Sequence, residues 1–563
     1  MQPYLNVFIA ILRWVAPAIT MVLLYRCIKP LLTFRREPEI WAWLCLPGGK
    51  KLPVTHWENV IGRSKRSDIV LELPTVSRTH GVLTRYDDGS WTITDRDSSG
   101  GILVNGKKIK HIRALQKEDI ISIGGVEMVL QPITKKQEQK LAQIRTKASG
   151  FITSISNVLL LSVFQVLCAM AFLLGGHTQT NQAVLLGFGG IMFCQWALFL
   201  FYACIRRTSF EVETIAFFLT TLGMAAIATV TPGEAAKQLI TIVVGIVVFL
   251  VVGWCLRDLE RAKVVRYLAG MAGVGFLLIT LVFGQEYYGA KNWLVIGSFS
   301  IQPSEFSKVC FVFVGASTMD RLVKKRNLFL FIGYSGLICG CLALMNDFGT
   351  AMIFFVAFLV IAYLRSGNLG TVGLAITALV FAAVLILKIA PHALRRFDSW
   401  RNIWEDPSGA GWQQTQALMC MASGGLLGLG AGQGYMKYIF AADSDVVIAT
   451  LTEEWGLIMV LLAVLSLTAF AIFSFRAASM GRSSFYTIGA CTAAAIMMMQ
   501  AILNALGTVD VLPLTGVTFP FLSNGGSSMI CSWGLLAFIK AADTRQNASF
   551  AVRLNKNGGE LHE

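Results

Sequence analysis

Four carboxylates lie beside or within an apolar run that is suited to a membrane interior. Asp443 and Asp445 precede the run, and Glu453 and Glu454 lie inside it. Charges in such a place cost free energy, so we interpret them as functional. Asp445 could act as a general base if its surroundings raise its pKa. With Asp443 it could also share a raised pKa or hold a cation.

Successive helical residues differ by about 100° in direction, so Glu453 and Glu454 cannot both face one cavity. We expect a structural or hydrogen-bonding role for one of them, with direct substrate or metal contact as the alternative. Glu305 and Lys308 have the i, i+3 spacing of an ion pair on one helical face. They could line a central cavity or form a purely structural pair.

Other segments have weaker chemical signals. Asp347 is placed to cap the helix that follows it. Arg395 and Arg396 could meet a pyrophosphate, or they could contact anionic lipid or form salt bridges. The glycine-rich runs at 424–434 and 525–528 lack the Lys-Ser/Thr partner of a phosphate-binding loop, so we expect helix packing and hinges there.

The composition is that of a polytopic membrane protein. Apolar residues make up 55% of the chain and charged residues 14%, with a mean hydropathy of +0.62. One span is predicted at residues 6–27, and Arg13 near its middle suggests either packing against other helices or a tilted, half-buried anchor. About twelve more spans begin near Phe151, Gln182, Phe210, Ala236, Tyr267, Pro303, Asn327, Thr350, Gly370, Leu451, Phe485 and Phe521.

Positive charge in short loops fixes the orientation of these spans. Every second loop is rich in Lys and Arg, which places the N-terminus outside, residues 30–149 inside, residues 391–450 outside and the C-terminus inside. The flanks and the soluble segment account for the net charge of +15, so a nucleic-acid partner is not indicated. The 12 cysteines have no metal-ligand spacing and are interpreted as packing residues.

Residues 41–133 break the hydrophobic pattern with short alternating runs between polar clusters, which predicts an antiparallel sandwich. The segments GRS, DIVLELPTVSRTH and DRDSSGGILVNG resemble those of a forkhead-associated (FHA) domain, a module that binds phosphothreonine peptides. The resemblance implies phosphopeptide contacts from Arg63, Ser77, Ser99 and Asn105, with His80 bracing the loop. A phosphate-independent docking module and a merely solvated Arg63 are the alternatives.

Five ordered blocks between residues 289 and 528 resemble the SEDS family, the RodA/FtsW type of peptidoglycan glycosyltransferases. They are GAKNWLVIGSFSIQPSEFSK, NDFGTAM, RRFDSWRNIWEDPSGAGWQQTQALMCMASGGLLGLGAGQG, DSDVVIATLTEEWG and LPLTGVTFPFLSNGGSS. The resemblance implies Asp445 as the essential acid and places Glu305, Lys308, Arg395, Arg396, Glu453 and Glu454 near the substrate. It also implies a divalent cation, Mg²⁺ or Mn²⁺, and a class B penicillin-binding protein as partner.

The predicted fold is therefore a polytopic α-helical membrane protein of the SEDS type, a GT-C-like polymerase, with a cytoplasmic all-β FHA sandwich. The expected domains are an anchor at 1–35, the sandwich at 41–133, a polar linker at 134–149, the membrane domain at 150–541 and a tail at 542–563. The expected activity is polymerisation of lipid II at the outer face of the bacterial plasma membrane. A lipid II transporter and a non-catalytic scaffold are the rivals.

Overall fold

The structure is a computed structural model with two kinds of architecture. It describes residues 2–33, 40–65, 67–86, 89–109, 112–134, 136–137, 148–174, 181–257, 259–287, 289–297, 299–317, 325–366, 369–370, 372–378, 380, 400–409, 411–478, 483–545 and 548. Most of the predicted linker, most of the span predicted at Gly370, and both Arg395 and Arg396 lie outside these residues.

A two-sheet sandwich follows the first helix, as the alternating pattern predicts. One sheet has the strand order β2-β1-β11-β10-β7-β8 and the other β4-β3-β5-β6-β9. The strands are β1 Ala42–Cys45, β2 Lys51–Val54, β3 Glu58–Gly62, β4 Ile69–Val70, β5 Gly81–Arg85, β6 Trp91–Asp95, β7 Ile102–Val104, β8 Lys107–Lys108, β9 Ile112–Leu115, β10 Ile120–Ile123 and β11 Val126–Pro132.

The core of the sandwich comes from the inward-facing residues of both sheets, such as Leu44, Ile61 and Ile121. Strand β10 illustrates the alternation, since Ile121 and Ile123 are buried while Ile120 is exposed. Loops between strands bring short polar segments together at the surface, where a peptide could bind.

Helices make up the rest of the described chain. They are α1 Gln2–Leu32, α2 Phe151–Leu174, α3 Asn181–Cys204, α4 Glu211–Val230, α5 Ala235–Leu256, α6 Leu259–Phe283, α7 Pro303–Ser317, α8 Lys325–Leu344, α9 Phe348–Ser366, α10 Trp412–Gly424, α11 Val447–Trp455, α12 Leu457–Ala478, α13 Ser484–Thr508 and α14 Gly526–Ala541. Residues 372–378 are also helical.

Within the described residues, 9 helices are long and apolar enough to cross a membrane. Shorter apolar helices cover residues 329–344 and 526–541. The protein is thus a multi-pass membrane protein, as the composition predicts.

Helix α4 lies at the centre of the first half of the bundle. The most apolar part of α4 is 94% buried, although no other described span has more than 67% of its corresponding part buried. It packs against α1, α2, α3, α5, α11 and α12. Its C-terminal end therefore reaches α11, which follows Asp445 in the chain.

Two elements differ from the sequence prediction. The span predicted from Leu451 is broken at Gly456, so that a short helix, α11, precedes the long helix α12. The segment between the spans predicted from Tyr267 and Pro303, where a loop at 285–300 is expected, forms a three-stranded sheet of β12 Gln285–Tyr287, β13 Ala290–Ile296 and β14 Phe299–Ile301. Strand pairing satisfies backbone groups that an irregular loop against a membrane would leave unpaired.

Candidate active site and peptide-binding loops

Asp445 lies in the turn before α11 and is half-buried. Its backbone is held by hydrogen bonds from two other segments. Asn504 of α13, itself buried, donates from its side-chain amide to the carbonyl oxygens of Asp445 at 2.9 Å and Val517 at 2.8 Å. The hydroxyl of Ser523 donates to the carbonyl oxygen of Ser444 at 2.7 Å. Two separate segments thus hold the turn that carries Asp445.

The Asp443 carboxylate is held by hydrogen bonds from two other segments of the chain. One oxygen, Oδ2, accepts hydrogen bonds from Thr231 Oγ1 at 2.5 Å and from Asn524 Nδ2 at 2.8 Å. The backbone N–H of Asn524 also donates to the Asp443 carbonyl oxygen at 2.7 Å. Asp443 therefore joins the end of α4 to the segment before α14, and it is 5% exposed.

Gly516 faces the Asp445 carboxylate. A Cβ atom at Gly516 would lie 3.5 Å from Asp445 Oδ2, and the backbone there has a φ of +67°. Glycine adds no side chain of its own beside the carboxylate, and it adopts this φ without strain.

Glu453 and Glu454 are both buried, and both bind the glycine-rich segment 425–434, here called the glycine strap, or its continuation. The Glu453 carboxylate accepts from the backbone N–H groups of Tyr435 at 2.8 Å and Met436 at 2.9 Å. The Glu454 carboxylate accepts from Gly432 N–H at 3.0 Å and from Thr229 Oγ1 at 2.7 Å. The hydrogen-bonding role that was expected for one of them is therefore seen for both.

Close backbone contact explains the glycines of the strap. The N–H groups of Leu429 and Gly430 donate to the carbonyl oxygens of Glu453 at 2.7 Å and Glu454 at 3.0 Å. A Cβ atom at Gly428 would lie 2.2 Å from the Glu454 carbonyl oxygen. The prediction that this run serves packing is confirmed.

Glu305 and Lys308 form a buried ion pair, with Nζ and Oε1 at 2.5 Å and both side chains at most 5% exposed. The predicted i, i+3 pairing is confirmed, although neither group is open to solvent. Asp347 caps α9 as predicted, accepting from the backbone N–H of Thr350 at 3.1 Å. Its other oxygen accepts from Asn292 at 3.2 Å.

The loops of the sandwich bring together three of the predicted phosphopeptide residues. The backbone N–H of Arg63 donates to the Ser77 carbonyl oxygen at 3.0 Å, and the Ser77 and Ser99 hydroxyls lie 3.2 Å apart. The side chains of Arg63 and Ser99 are exposed. Two neighbouring hydroxyls and an exposed Arg63 on the adjoining loop supply the donor types that a dianionic phosphate needs.

His80 is buried behind these loops. Its Nδ1 accepts from the backbone N–H of Ser77 at 3.1 Å, so its Nε2–H donates to the Gly101 carbonyl oxygen at 3.1 Å. The predicted bracing role of His80 is confirmed.

The Asn105 side chain is engaged within the sandwich. Its amide nitrogen donates to Asp119 at 2.7 Å, and its oxygen accepts from the N–H of Ile120 at 2.9 Å. The hydrogen bonds from Gln116 N–H and from Asn105 lower the pKa of the Asp119 carboxyl. Asn105 thus shapes its own turn, and the structure does not join its side chain to Arg63, Ser77 and Ser99.

The fit for a divalent cation is poor in the part of the chain that the structure describes. No group of three or more His, Cys, Asp or Glu side chains comes together among those residues. Asp443 Oδ2 already accepts two hydrogen bonds, which leaves that oxygen little capacity for a metal ion.

Several residues that build the site are absent from the sequence prediction. Asn504, Thr231, Ser523 and Gly516 contact the two aspartates or the turn between them. The sequence does contain a signal for Asn504, because a single Asn within an apolar span is costly unless it has a role.

Comparisons with known proteins agree with the division of the chain into a β-sandwich and a helical membrane domain. Residues 206–548 match the family FTSW_RODA_SPOVE, described as cell cycle protein, and residues 59–124 match the FHA domain. Peptidoglycan glycosyltransferase RodA from Mycobacterium tuberculosis is 30% identical over 328 residues, which are 54% of this chain and 69% of that protein. Probable peptidoglycan glycosyltransferase FtsW from Escherichia coli is 34% identical over 286 residues, 47% of this chain and 67% of that protein.

A solved structure is also similar. The crystal structure of RodA from Thermus thermophilus is 20% identical with a TM-score of 0.45, covering 59% of this chain and 95% of that chain. The matched stretch 206–548 exceeds half of the 563 residues, so the chain belongs to the FtsW/RodA/SpoVE family and carries an FHA domain before the family region.

Proposed function

We propose that the protein is a peptidoglycan glycosyltransferase that polymerises lipid II into glycan strands. The observation that carries the proposal is the placement of Asp445. Its carboxylate faces a glycine, and its backbone is clamped by Asn504, at the junction of α11, α13 and the segment before α14. The named activity of the relatives supports the same assignment.

The proposed chemistry needs a base and charge compensation for the leaving group. The Asp445 carboxylate takes the proton from the acceptor sugar hydroxyl as that oxygen attacks the anomeric carbon and the bond to the lipid pyrophosphate breaks. Arg395 and Arg396 stay the predicted partners of the pyrophosphate. Asp443, whose carboxylate is engaged by Thr231 and Asn524, positions the turn and does not take the proton.

Four more charged residues are placed near the substrate by the family motifs, and their geometry favours positioning roles. These residues are Glu453, Glu454, Glu305 and Lys308. Each carboxylate already accepts a hydrogen bond, and all four side chains are nearly inaccessible. They hold α7, α11 and the glycine strap in place. The divalent cation stays a prediction from family resemblance, and no step here depends on it.

The remaining parts of the proposal concern place and partners. The N-terminus lies outside, the FHA domain and the C-terminus lie in the cytoplasm, and polymerisation occurs at the outer face. The sandwich binds a phosphothreonine protein through Arg63, Ser77 and Ser99, with Asn105 shaping a neighbouring turn. A class B penicillin-binding protein accompanies the enzyme in elongation, division or sporulation.

The test compares purified wild type with Asp445→Asn and Asp445→Ala for polymerisation of lipid II in detergent, with a divalent ion and with the candidate transpeptidase if needed. Removal of a general base is expected to lower the rate by about 10²-fold to 10⁴-fold. Glu234→Gln is the matched control, because that carboxylate is solvent-exposed and its ion pair within the described residues is with Lys237 on the surface.

Glycan strands from wild type and Glu234→Gln alone would support the enzyme and its base. Strands of equal yield from the Asp445 variants would remove Asp445 from the mechanism. No strands from folded, partnered wild type would favour a transporter or a scaffold.

A further inference from the structure

Three helices precede the family region and pack specifically on it. Helices α1, α2 and α3 lie before residue 206, where the family match begins. Gln165 of α2 donates from its amide to Gln195 of α3 at 2.9 Å and to Thr221 of α4 at 3.2 Å, with all three side chains buried. Such polar contacts between apolar helices give a defined arrangement, so these helices are more than a loose addition.

Helix α1 also reaches the glycine strap. The Arg13 guanidinium donates a hydrogen bond to the Leu429 carbonyl oxygen. A Cβ atom at Gly430 would lie 2.7 Å from Ile9 Cγ2, so the strap backbone touches α1 there. Arg13 and Glu454 line the same small cavity between α1 and the strap. A cation in the middle of a membrane-length helix is costly, and this contact gives it a reason.

The strap connects Arg13 to the proposed catalytic turn in a few steps. Leu429 accepts from Arg13 through its carbonyl oxygen and donates through its N–H to Glu453 at 2.7 Å. Glu453 belongs to α11, the helix that begins at Val447, two residues after Asp445. Displacement of Leu429 would therefore act on the C-terminal end of the helix that follows the base.

We propose that Arg13 is a positioning residue for the polymerase reaction, fixing the glycine strap and, through α11, the place of Asp445. The inference rests on the proposed function. It makes a helix outside the family region a working part of the active-site scaffold. Arg13 touches neither substrate nor reacting atoms.

The test uses the full chain with Arg13→Gln and Arg13→Lys. Arg26→Gln is the matched control, since Arg26 lies on the same helix and its side chain makes no hydrogen bond within the described residues. The measurements are kcat and KM for lipid II, the thermal midpoint in detergent, and amide hydrogen exchange at residues 425–434.

We expect Arg13→Gln to lower kcat at least about tenfold with little change in KM, because displacing the base by about 1 Å can cost up to about 10²-fold. Exchange in the strap is expected to rise while the thermal midpoint stays near that of wild type. Arg13→Lys keeps a cation that can reach the same carbonyl oxygen, so it is expected to restore most of kcat. Arg26→Gln is expected to behave as wild type.

Wild-type kcat and wild-type exchange in Arg13→Gln would overturn the inference, and so would a loss of thermal stability that accounts for the whole drop in rate. If wild type itself makes no strands, the proposed polymerase function fails. In that case unchanged strap exchange in Arg13→Gln would separately overturn the clamp.

Discussion

Asn504 is a side chain that holds the backbone of Asp445, the proposed catalytic carboxylate. It comes from α13, 59 residues along the chain from Asp445, and its amide spans the carbonyl oxygens of Asp445 and Val517. A hydrogen bond from a buried amide to a backbone carbonyl contributes about 1 kcal/mol to stability. Its larger effect here is geometric, because it fixes both sides of the space beside Asp445.

Replacing Asn504 with Ala should therefore impair catalysis more than folding. The backbone at Asp445 and at Val517 would each lose a hydrogen bond, and we expect kcat for lipid II polymerisation to fall by about 10-fold to 10²-fold. Initial rates on purified enzyme check this prediction, together with the thermal midpoint.

Gln500→Met provides the control for Asn504→Ala. Gln500 lies one turn away on α13, and its buried amide nitrogen has no hydrogen-bond partner within the described residues. Its replacement should leave kcat near the wild-type value. Equal losses in the two variants would show that any polar change in α13 is harmful and would contradict the role of Asn504.

At this scale the sequence predicts the acid but not what holds it. Asp445 is recognisable because its motif places a carboxylate just before an apolar span. Asn504 and Thr231 are distant in sequence, and their hydrogen bonds depend on how helices pack, which a local pattern does not encode. The contact of Asn105 with Asp119 was absent from the sequence prediction for a similar reason, since the two residues meet across a turn.

At the scale of secondary-structure elements, the glycine strap packs very closely against the break between α11 and α12. The helix breaks at Gly456, with a φ of +86°, and a Cβ there would lie 2.3 Å from the Leu426 carbonyl oxygen. Gly428 meets the Glu454 carbonyl oxygen in the same way. Two backbones approach each other where no side chain fits.

Gly428→Ala should therefore destabilise the protein strongly. The Cβ would lie 2.2 Å from backbone atoms, and the φ of +81° disfavours Ala, so we expect a loss of about 3 kcal/mol or more. Thermal unfolding in detergent measures the loss.

Gly425→Ala separates the two causes in Gly428→Ala. Gly425 also has a positive φ, +57°, but nothing lies within 4 Å of its Cβ position. We expect a loss of only about 1–2 kcal/mol there. Equal shifts of the thermal midpoint in the two variants would contradict the close-contact explanation.

Hydropathy predicted a span at each of the 9 long apolar helices of the described residues, but it did not predict the break at Gly456. The sequence predicts a continuous span from Leu451, because its apolar character continues through Gly456. Only the contact with Leu426 and Leu427 shows why the helix must stop there. Strands β12–β14 were missed because their pairing depends on neighbours that a loop pattern does not reveal.

For the whole molecule, a buried charge cluster joins the two ends of the family region. Lys540 of α14 pairs with Glu213 of α4 at 3.1 Å, and Arg545 pairs with Asp543 at 2.7 Å and Glu211 at 3.4 Å. Burial alone would lower the pKa of Arg545, but Asp543 and Glu211 raise it. Buried contacts thus continue past residue 542, where the tail was predicted to begin.

Helix α1 is the physical connection between the sandwich and the active-site scaffold. Arg13 binds the glycine strap, and Arg476 of α12 donates to the carbonyl oxygen of Leu32 at the other end of α1. Strand β1 begins ten residues after Leu32. A peptide bound to the sandwich would thus sit on a domain that follows α1, the helix of the proposed clamp, in the chain.

Arg63→Ala should weaken binding of a phosphothreonine peptide. Arg63 is exposed, and a charge-assisted hydrogen bond to phosphate contributes about 1.5–3 kcal/mol, so we expect affinity for the peptide to fall at least about tenfold. Titration of a library-selected phosphothreonine peptide into the full-length protein measures the change, with the unphosphorylated peptide as reference.

Lys51→Ala is the matched control for Arg63→Ala, because Lys51 is an exposed cation on β2 in the other sheet. It should bind the peptide as wild type does. Equal binding by Arg63→Ala would favour phosphate-independent docking. If peptide binding acts on the polymerase through α1, the peptide should change the rate of wild type and Lys51→Ala but not that of Arg63→Ala. In Arg13→Gln the peptide would still bind while its effect on the rate is lost, which separates recognition by the sandwich from transmission by the helix.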